Sequence, residues 1–277
     1  MLDEFFAAHR YSQATIASYS RLLTLFLAEV EVGPSTPSAQ ALAQWLDKPS
    51  WGPQQRWVAF NAVRAYLKWR FGSYHPALRL RLKRPTSPMQ RVLRLDEARR
   101  ILEHFPTTPK GIRDKAIFSL FLDTGLRVSE MCRVDLDHLD MRARALWVVV
   151  KGGKWGKAVF SHTTAERLSK WLEIRPRFAV PSVRTVFVSL NGKTKGRPLT
   201  RHGLQLIVRR WGEAVGIRLS PHDLRRTFAT LATRAGAPER ILMEAGRWQS
   251  TEMIALYTRS ISAEDFEPYF PTRMLED

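Results

Sequence analysis

The sequence predicts a mainly helical chain with one small β-sheet, split into an all-helical N-terminal module and a mixed α/β C-terminal module. Three observations carry this reading. Up to position 83, apolar residues recur at the i, i+3, i+4, i+7 spacing of a helix face. Beyond it, such stripes are interrupted by a β-branched run, Ala145–Val150, that leads into a glycine-rich turn. Between the two lies Lys83-Arg84-Pro85-Thr86-Ser87-Pro88-Met89-Gln90-Arg91, a stretch without apolar periodicity. Proline and the residue before it both resist helix, so this stretch is expected to stay extended. The boundaries that follow are a helical domain at 1–83, a basic linker at 84–91 and a mixed domain at 92–277.

Each element has its own justification. Thr15–Val30 aligns Ile16, Tyr19, Leu22, Leu23, Phe26 and Leu27 on one face, and Gly33-Pro34 stops it. Ser38–Asp47 carries Leu42, Trp45 and Leu46 together, and Pro53 opens a longer helix striped by Trp57, Phe60, Val63, Tyr66 and Leu67. Asp96–Phe105 and Ile112–Asp123 read as helices, the second closed by Thr124-Gly125 with glycine at a left-handed cap. Ala145–Val150 reads as a strand, Lys151-Gly152-Gly153-Lys154-Trp155-Gly156-Lys157 as the turn, and Ala158–Phe160 as the start of the return strand. Thr185–Ser189 reads as one more strand. Helices resume at Arg201–Ala214, Leu224–Ala235, Pro238–Glu244 and around Thr251–Thr258.

Composition narrows the function classes. With 277 residues, 44% of them hydrophobic and 25% charged, the chain is long and apolar enough to bury a core, so general disorder is excluded. Its net charge of +18 calls for a partner of dense negative charge. Residues 1–84 hold 11 basic and 5 acidic side chains, and residues 85–277 hold 33 and 21, so both modules are basic. Two basic halves suit one long polyanion. No apolar run approaches the roughly 20 residues of a membrane span. Met1-Leu2-Asp3-Glu4 is acidic where a signal peptide is basic, and one cysteine, Cys132, forms no internal disulfide. A soluble, cytoplasmic, nucleic-acid-binding protein is the expectation, without a membrane partner.

Several chemistries are disfavoured. Asn191-Gly192-Lys193-Thr194 lacks the earlier glycine of a phosphate-binding loop, since Phe187 stands there. The seven histidines form no metal-binding pair, and neither a zinc cluster nor a two-metal carboxylate motif is visible. No metal and no cofactor is expected.

Three stretches of the second module stand out. In Thr124-Gly125-Leu126-Arg127-Val128-Ser129-Glu130 an arginine follows a glycine-ended helix, and Glu130 is placed to hydrogen-bond backward. In Pro221-His222-Asp223-Leu224-Arg225-Arg226-Thr227, His222 and Arg225 lie at i, i+3, and a guanidinium beside an imidazole suits a phosphate. The third is Gly246-Arg247-Trp248-Gln249-Ser250, with Tyr257 nine residues after Trp248. Each alone has a structural explanation: a capped helix junction, a solvent-facing helix start, a core tyrosine. Together, and in this order, they resemble the signature of the tyrosine recombinases, the Xer and phage-integrase family.

The resemblance spans essentially the whole chain and implies a helical, SAM-like core-binding domain ahead of a tyrosine-recombinase catalytic domain. It implies that Arg127 and Arg225 clamp a phosphate, His222 and Trp248 hydrogen-bond to it, Glu130 supports, and Tyr257 is the nucleophile. Lys151 matches the general-acid lysine of the hairpin, with Lys154 the competitor, because two glycines rather than one follow Lys151. Phosphate contacts outside the chemistry are expected from Arg56, Arg64 and Lys68 on the third helix, Lys83, Arg84 and Arg91 of the linker, and Lys154 of the turn. The implied activity is site-specific strand cleavage and rejoining on double-stranded DNA through a 3′-phosphotyrosine. The implied assembly is a homotetramer on two DNA sites, with accessory DNA-binding proteins or a paralogous recombinase as further partners. Two alternatives remain at this point: a type IB topoisomerase-like relaxing activity, and a non-catalytic regulator on the same scaffold. The acidic, aromatic segment 262–271 is expected to dock on a neighbouring protomer, as the family's C-terminal segments do.

Overall fold

Small hydroxyl side chains punctuate the chain. Ser12, Ser38, Thr108, Ser161, Thr200 and Ser220 each accept a hydrogen bond from an N–H three residues on and so open a helix. Such caps are worth about 1 kcal/mol each. The computed structural model describes residues 1–86, 91–150, 153–248 and 250–251. They are mostly helical, with one small antiparallel sheet, and divide into two units, Met1–Pro88 and Met89–Asp277.

The first unit comprises α1 (Leu2–Ala7), α2 (Gln13–Glu29), α3 (Ala39–Leu46) and α4 (Pro53–Phe71). The expected stripes face one another: Leu22, Leu23 and Phe26 of α2 and Leu42, Trp45 and Leu46 of α3 share a core with Phe60, Val63, Tyr66 and Leu67 of α4. Aromatic edges lock the corner, with Phe26 and Trp45 at 4.9 Å and Trp45 and Trp51 at 5.1 Å between ring centres. The sequence pattern gave no sign of α1, whose six residues are too few for a stripe; it is fixed by Phe5, fully buried against Tyr66 and Trp69.

The second unit holds α5 (Leu95–His104), α6 (Pro109–Thr124) and α7 (Val128–Met131), then β1 (Leu139–Asp140), β2 (Ala145–Val149) and β3 (Trp155–Val159). Four more helices follow: α8 (His162–Ile174), α9 (Arg201–Ala214), α10 (Pro221–Arg234) and α11 (Glu239–Gly246). Helix α6 is the central rod, buried over most of its length. Its buried Arg113–Asp114 pair, 2.6 Å apart, is satisfied by the Val188 carbonyl and the Trp211 indole N–H. No described helix is long and apolar enough to cross a membrane.

Two strand expectations need correction. The return strand begins at Trp155, three residues ahead of Ala158, because the ladder from Ala145↔Val159 to Val149↔Trp155 takes in glycine-rich sequence. Outward-facing Trp155 and Lys157 concealed the alternation. Thr185–Ser189 forms no strand. It makes isolated bridges, Asp135↔Thr185 and Val188↔Pro198. Three of its carbonyls serve side chains: Trp171 and Arg175 donate to Val186, Arg175 also to Thr185, and Arg113 to Val188, while those of Phe187 and Ser189 accept from the backbone N–H groups of Leu199 and Gly196. The helix expected around Thr251–Thr258 lies outside the described residues beyond Thr251.

Candidate active site

The site begins with the end of α6. Gly125 is left-handed (φ 56°, ψ 27°), and its N–H closes on the Phe121 carbonyl at 2.9 Å. A Cβ there would lie 2.4 Å from Phe228 Cδ1, so both backbone and space demand glycine. Gly125→Ala is expected to lower unfolding stability by about 2–4 kcal/mol, from left-handed strain plus overpacking. A shift below ~1 kcal/mol in chemical denaturation would show that Phe228 yields freely.

That turn delivers Arg127 as the residue before α7. The Glu130 carboxylate accepts from the Arg127 N–H at 2.9 Å and from its guanidinium at 2.7 Å. Glu130 is 3% exposed and the Arg127 side chain 35%, so a buried anion holds a cation at the surface. A group in that position is fixed before any ligand arrives.

Ser220 and Asp223 cap α10 reciprocally, the Asp223 carboxylate accepting from the Ser220 N–H at 2.8 Å. Asp223 also accepts from Arg226 at 2.8 Å. This first turn presents His222 at the surface and turns Arg225 inward, where it is 1% exposed. Arg225 is therefore not part of a solvent-facing helix start. Its guanidinium donates to the Gly125 carbonyl and, at 2.6 Å, to the Gly246 carbonyl at the end of α11. It also stacks 4.8 Å above the Trp248 ring. Trp248 is buried and packs on Phe228 at 6.0 Å, and its backbone N–H donates to the Met243 carbonyl at 3.0 Å. Three stretches far apart in sequence thus meet around one guanidinium.

The His222 imidazole is held below its ordinary 6.5 by the protein around its ring, then by Arg226, Arg225 and Arg127, with Asp223 opposing. Neutral at pH 7, it has one nitrogen to donate and one to accept. The unfolded chain protonates first on acidification, so His222 withdraws stability as pH falls below 6.5. Thermal unfolding followed from about pH 7 to about pH 5 is expected to lose less in His222→Gln than in the wild type. An equally steep loss would reject the depressed value.

Lys151 and Tyr257 lie outside the described residues, as does segment 262–271. Lys154 is exposed directly before β3, and its carbonyl accepts from the Val150 N–H at 2.8 Å, pinning the described ends of the hairpin loop. Of the other basic candidates, Lys68, Lys83 and Arg84 are exposed. Arg56, Lys83 and Arg84 line one surface cleft of the first unit with Pro53. Arg56 is also bound to the Asp47 carboxylate at 2.7 Å and to the Trp51 and Lys48 carbonyls, so it is partly a structural brace. Arg64 lies over the Phe60 ring at 5.8 Å. Arg91, read as linker, pairs with buried Glu97 at 2.6 Å and is thereby tied to the start of α5. Cys132 is half-buried, its thiol pushed up to about 11 by burial, and stays protonated. Among the described residues no three His, Cys, Asp or Glu groups converge for a metal ion.

Sequence reasoning passed over Arg247. It follows α11 in left-handed conformation, and its buried side chain donates to the Thr124 carbonyl at 2.9 Å and lies 3.7 Å from Glu130. The only sequence hint was its place inside the Gly246–Ser250 stretch.

Known proteins resemble this chain in sequence and in fold. Residues 91–264 match the model of the phage integrase family. Tyrosine recombinase XerC of Vibrio parahaemolyticus serotype O3:K6 is 31% identical over 188 residues, covering 67% of this chain and 59% of that protein. XerC of Serratia marcescens is 30% identical over 246 residues, 84% of this chain and 80% of that protein. The match thus spans less than two thirds of the first relative and four fifths of the second. A lambda integrase tetramer bound to a Holliday junction superposes with a TM-score of 0.75 at 15% identity, over 94% of this chain and 76% of that one, a likeness of fold.

Proposed function

Since the chain belongs to the phage integrase family, we propose that it is a site-specific DNA recombinase that cuts and rejoins strands through a 3′-phosphotyrosine. The observation that carries the reading is the convergence on Arg225. Its bonds to the Gly125 and Gly246 carbonyls bring together the turn of Arg127, the start of α10 with His222, and the stretch of Trp248. A tyrosine phenol, of ordinary pKa near 10, is a poor nucleophile toward an anionic phosphodiester at pH 7. Guanidiniums on the nonbridging oxygens offset that charge as the pentacoordinate transition state forms.

In this reading the Tyr257 oxygen attacks the scissile phosphorus, its phenolic proton passing to solvent, and the P–O5′ bond breaks. The leaving 5′-oxygen takes a proton from Lys151, and the 3′-phosphate stays on the tyrosine. Rejoining is the reverse, with the 5′-hydroxyl as attacking group, so no external energy source is needed. Arg127 and Arg225 neutralise the phosphate, neutral His222 hydrogen-bonds to it, and the Trp248 indole packs beneath Arg225 and supplies an N–H donor. Glu130 fixes Arg127.

Both basic units grip duplex DNA in this proposal, the first through Lys68, Lys83 and Arg84 beside Arg56 and Arg64, and the second through Arg91, Lys154 and the site itself. Four protomers act on two sites in the cytoplasm, with accessory DNA-binding proteins or a paralogous recombinase as further partners. The neighbouring lambda integrase, a tetramer on a Holliday junction, supports that stoichiometry. The test is to incubate the protein with duplex fragments flanking its own gene and map covalent adducts, which are expected at one short sequence. Relaxation of any supercoiled plasmid without a preferred site would overturn the recombinase reading. Because guanidiniums supply the charge, cleavage is expected to persist in excess EDTA; its complete loss with DNA binding intact would reveal a required cation.

A further inference from the structure

Resting on the recombinase reading, we propose that Arg247 is a positioning residue of the phosphate site, fixing Glu130 and through it Arg127, and adding a third guanidinium to the positive field there. The first sign is backbone. Arg247 adopts φ 54° and ψ 44°, directly after α11 ends at Gly246. Glycine takes that conformation without steric cost, whereas a side chain with a Cβ is disfavoured in it. A side chain kept there against its backbone preference points to work done by the side chain.

That side chain is 6% exposed and reaches into the site. One terminal nitrogen donates to the Ala245 carbonyl at 2.7 Å, and the other donates to the Thr124 carbonyl at 2.9 Å and approaches Glu130 to 3.7 Å. Glu130 is thus held from two sides, with Arg127 at 2.7 Å on its other oxygen. The guanidinium fork suits this double task because its donors are coplanar and fixed in angle, which an ammonium is not. The aliphatic stem has a role as well. A Cβ on Gly156 of β3 would lie 2.8 Å from Arg247 Cδ, so the stem lies flat against the hairpin that leads to Lys151. One residue therefore touches the Thr124–Arg127 turn, the support carboxylate and the hairpin strand.

The charge balance agrees. Arg127 and Arg247 flank the Glu130 carboxylate, and Arg225 lies near enough to repel Arg247, so three guanidiniums share one carboxylate's compensation and two positive charges remain for an incoming anion. Burial, with repulsion from Arg225 and Arg127, lowers Arg247 to about 10 despite Glu130, so it is still charged at pH 7 but strained. The Arg247 Nε is buried and has no hydrogen-bond partner among the described residues. A phosphodiester entering beside Arg127 relieves that repulsion.

The experiment compares full-length wild type, Arg247→Gly and Arg247→Lys on a nicked duplex carrying the mapped site. Glycine suits the backbone, so Arg247→Gly is expected to fold and to bind DNA within about threefold of wild type. Its cleavage rate is expected to fall on the order of 10- to 100-fold, the usual loss when a supporting group is removed. Arg247→Lys is expected to regain only part of it. On a substrate whose scissile phosphate is replaced by a neutral methylphosphonate, the gap between Arg247→Gly and wild type is expected to shrink, because less charge needs offsetting. Wild-type cleavage by Arg247→Gly, or an equal loss on both substrates, would reduce Arg247 to packing and overturn the proposal. A wild type that forms no adduct would instead overturn the recombinase reading. The positioning claim is then decided by a double-mutant unfolding cycle of Arg247→Gly with Glu130→Gln. A coupling of roughly tenfold in the unfolding constant supports it, and one below about twofold rejects it.

Discussion

Tyr257→Phe is expected to abolish the denaturant-resistant protein–DNA adduct while leaving binding to the same duplex unchanged. The substitution removes one oxygen and keeps the ring, so any packing by the side chain survives. What is lost is the atom that would hold the 3′-phosphate. Removing a nucleophile outright costs on the order of 10⁴- to 10⁶-fold where enzymes of covalent mechanism have been measured. On a nicked suicide substrate, the freed 5′-end diffuses away and traps the intermediate, so wild type accumulates adduct and Tyr257→Phe accumulates none. Peptide mapping identifies the attached residue. The competing phenol in the C-terminal segment is Tyr269. An adduct that persists in Tyr257→Phe, or that maps to Tyr269, would remove Tyr257 from the mechanism and shift the spacing from Trp248 that identified it.

How much of this was legible in the sequence depends on the range of each interaction. The stripes of α2 and α4 were readable because one face is buried along their length. The Arg127–Glu130 pair was readable too, since a carboxylate three residues on reaches back by local geometry alone. Helix α8 was missed because its buried residues, Thr164, Leu168 and Trp171, are spread among charged neighbours. Arg225 was legible as a residue type and a motif, but not in its destination. Its partners, Gly125 and Gly246, lie 100 residues before it and 21 after it, and tertiary packing alone brings them close. Arg56 was legible as a basic side chain of a helix, but its bracing of Asp47 and two carbonyls was not, since the fold sets those groups around it. Arg247 was hidden most completely, since nothing local marks a left-handed arginine whose partners sit on α6, α7 and β3.

Lys151→Ala is expected to slow strand cleavage on the order of 10²-fold or more, the scale of general acid catalysis, and to be rescued by changing the leaving group. A 5′-bridging phosphorothiolate breaks a P–S bond, and the departing thiolate is stable without a proton. Loss of the acid should then cost little. Arg127→Ala offers the contrast. Its guanidinium is 35% exposed on the support of buried Glu130, and its service is charge on the nonbridging oxygens, which sulfur in the bridge does not replace. It should stay slow on both substrates. The same pair of substrates decides between the two lysines. Lys154 sits at the foot of β3, where its carbonyl is tied to Val150, and its exposed side chain starts from a rigid strand end. The sequence sets Lys151 between the β-branched run Ala145–Val150 and two glycines. A proton donor must come within hydrogen-bond reach of the 5′-oxygen only as the bond breaks, which favours that combination. Selective rescue of Lys154→Ala, with Lys151→Ala near wild type, would move the general acid three residues along the hairpin and assign the second glycine to a shift in its register.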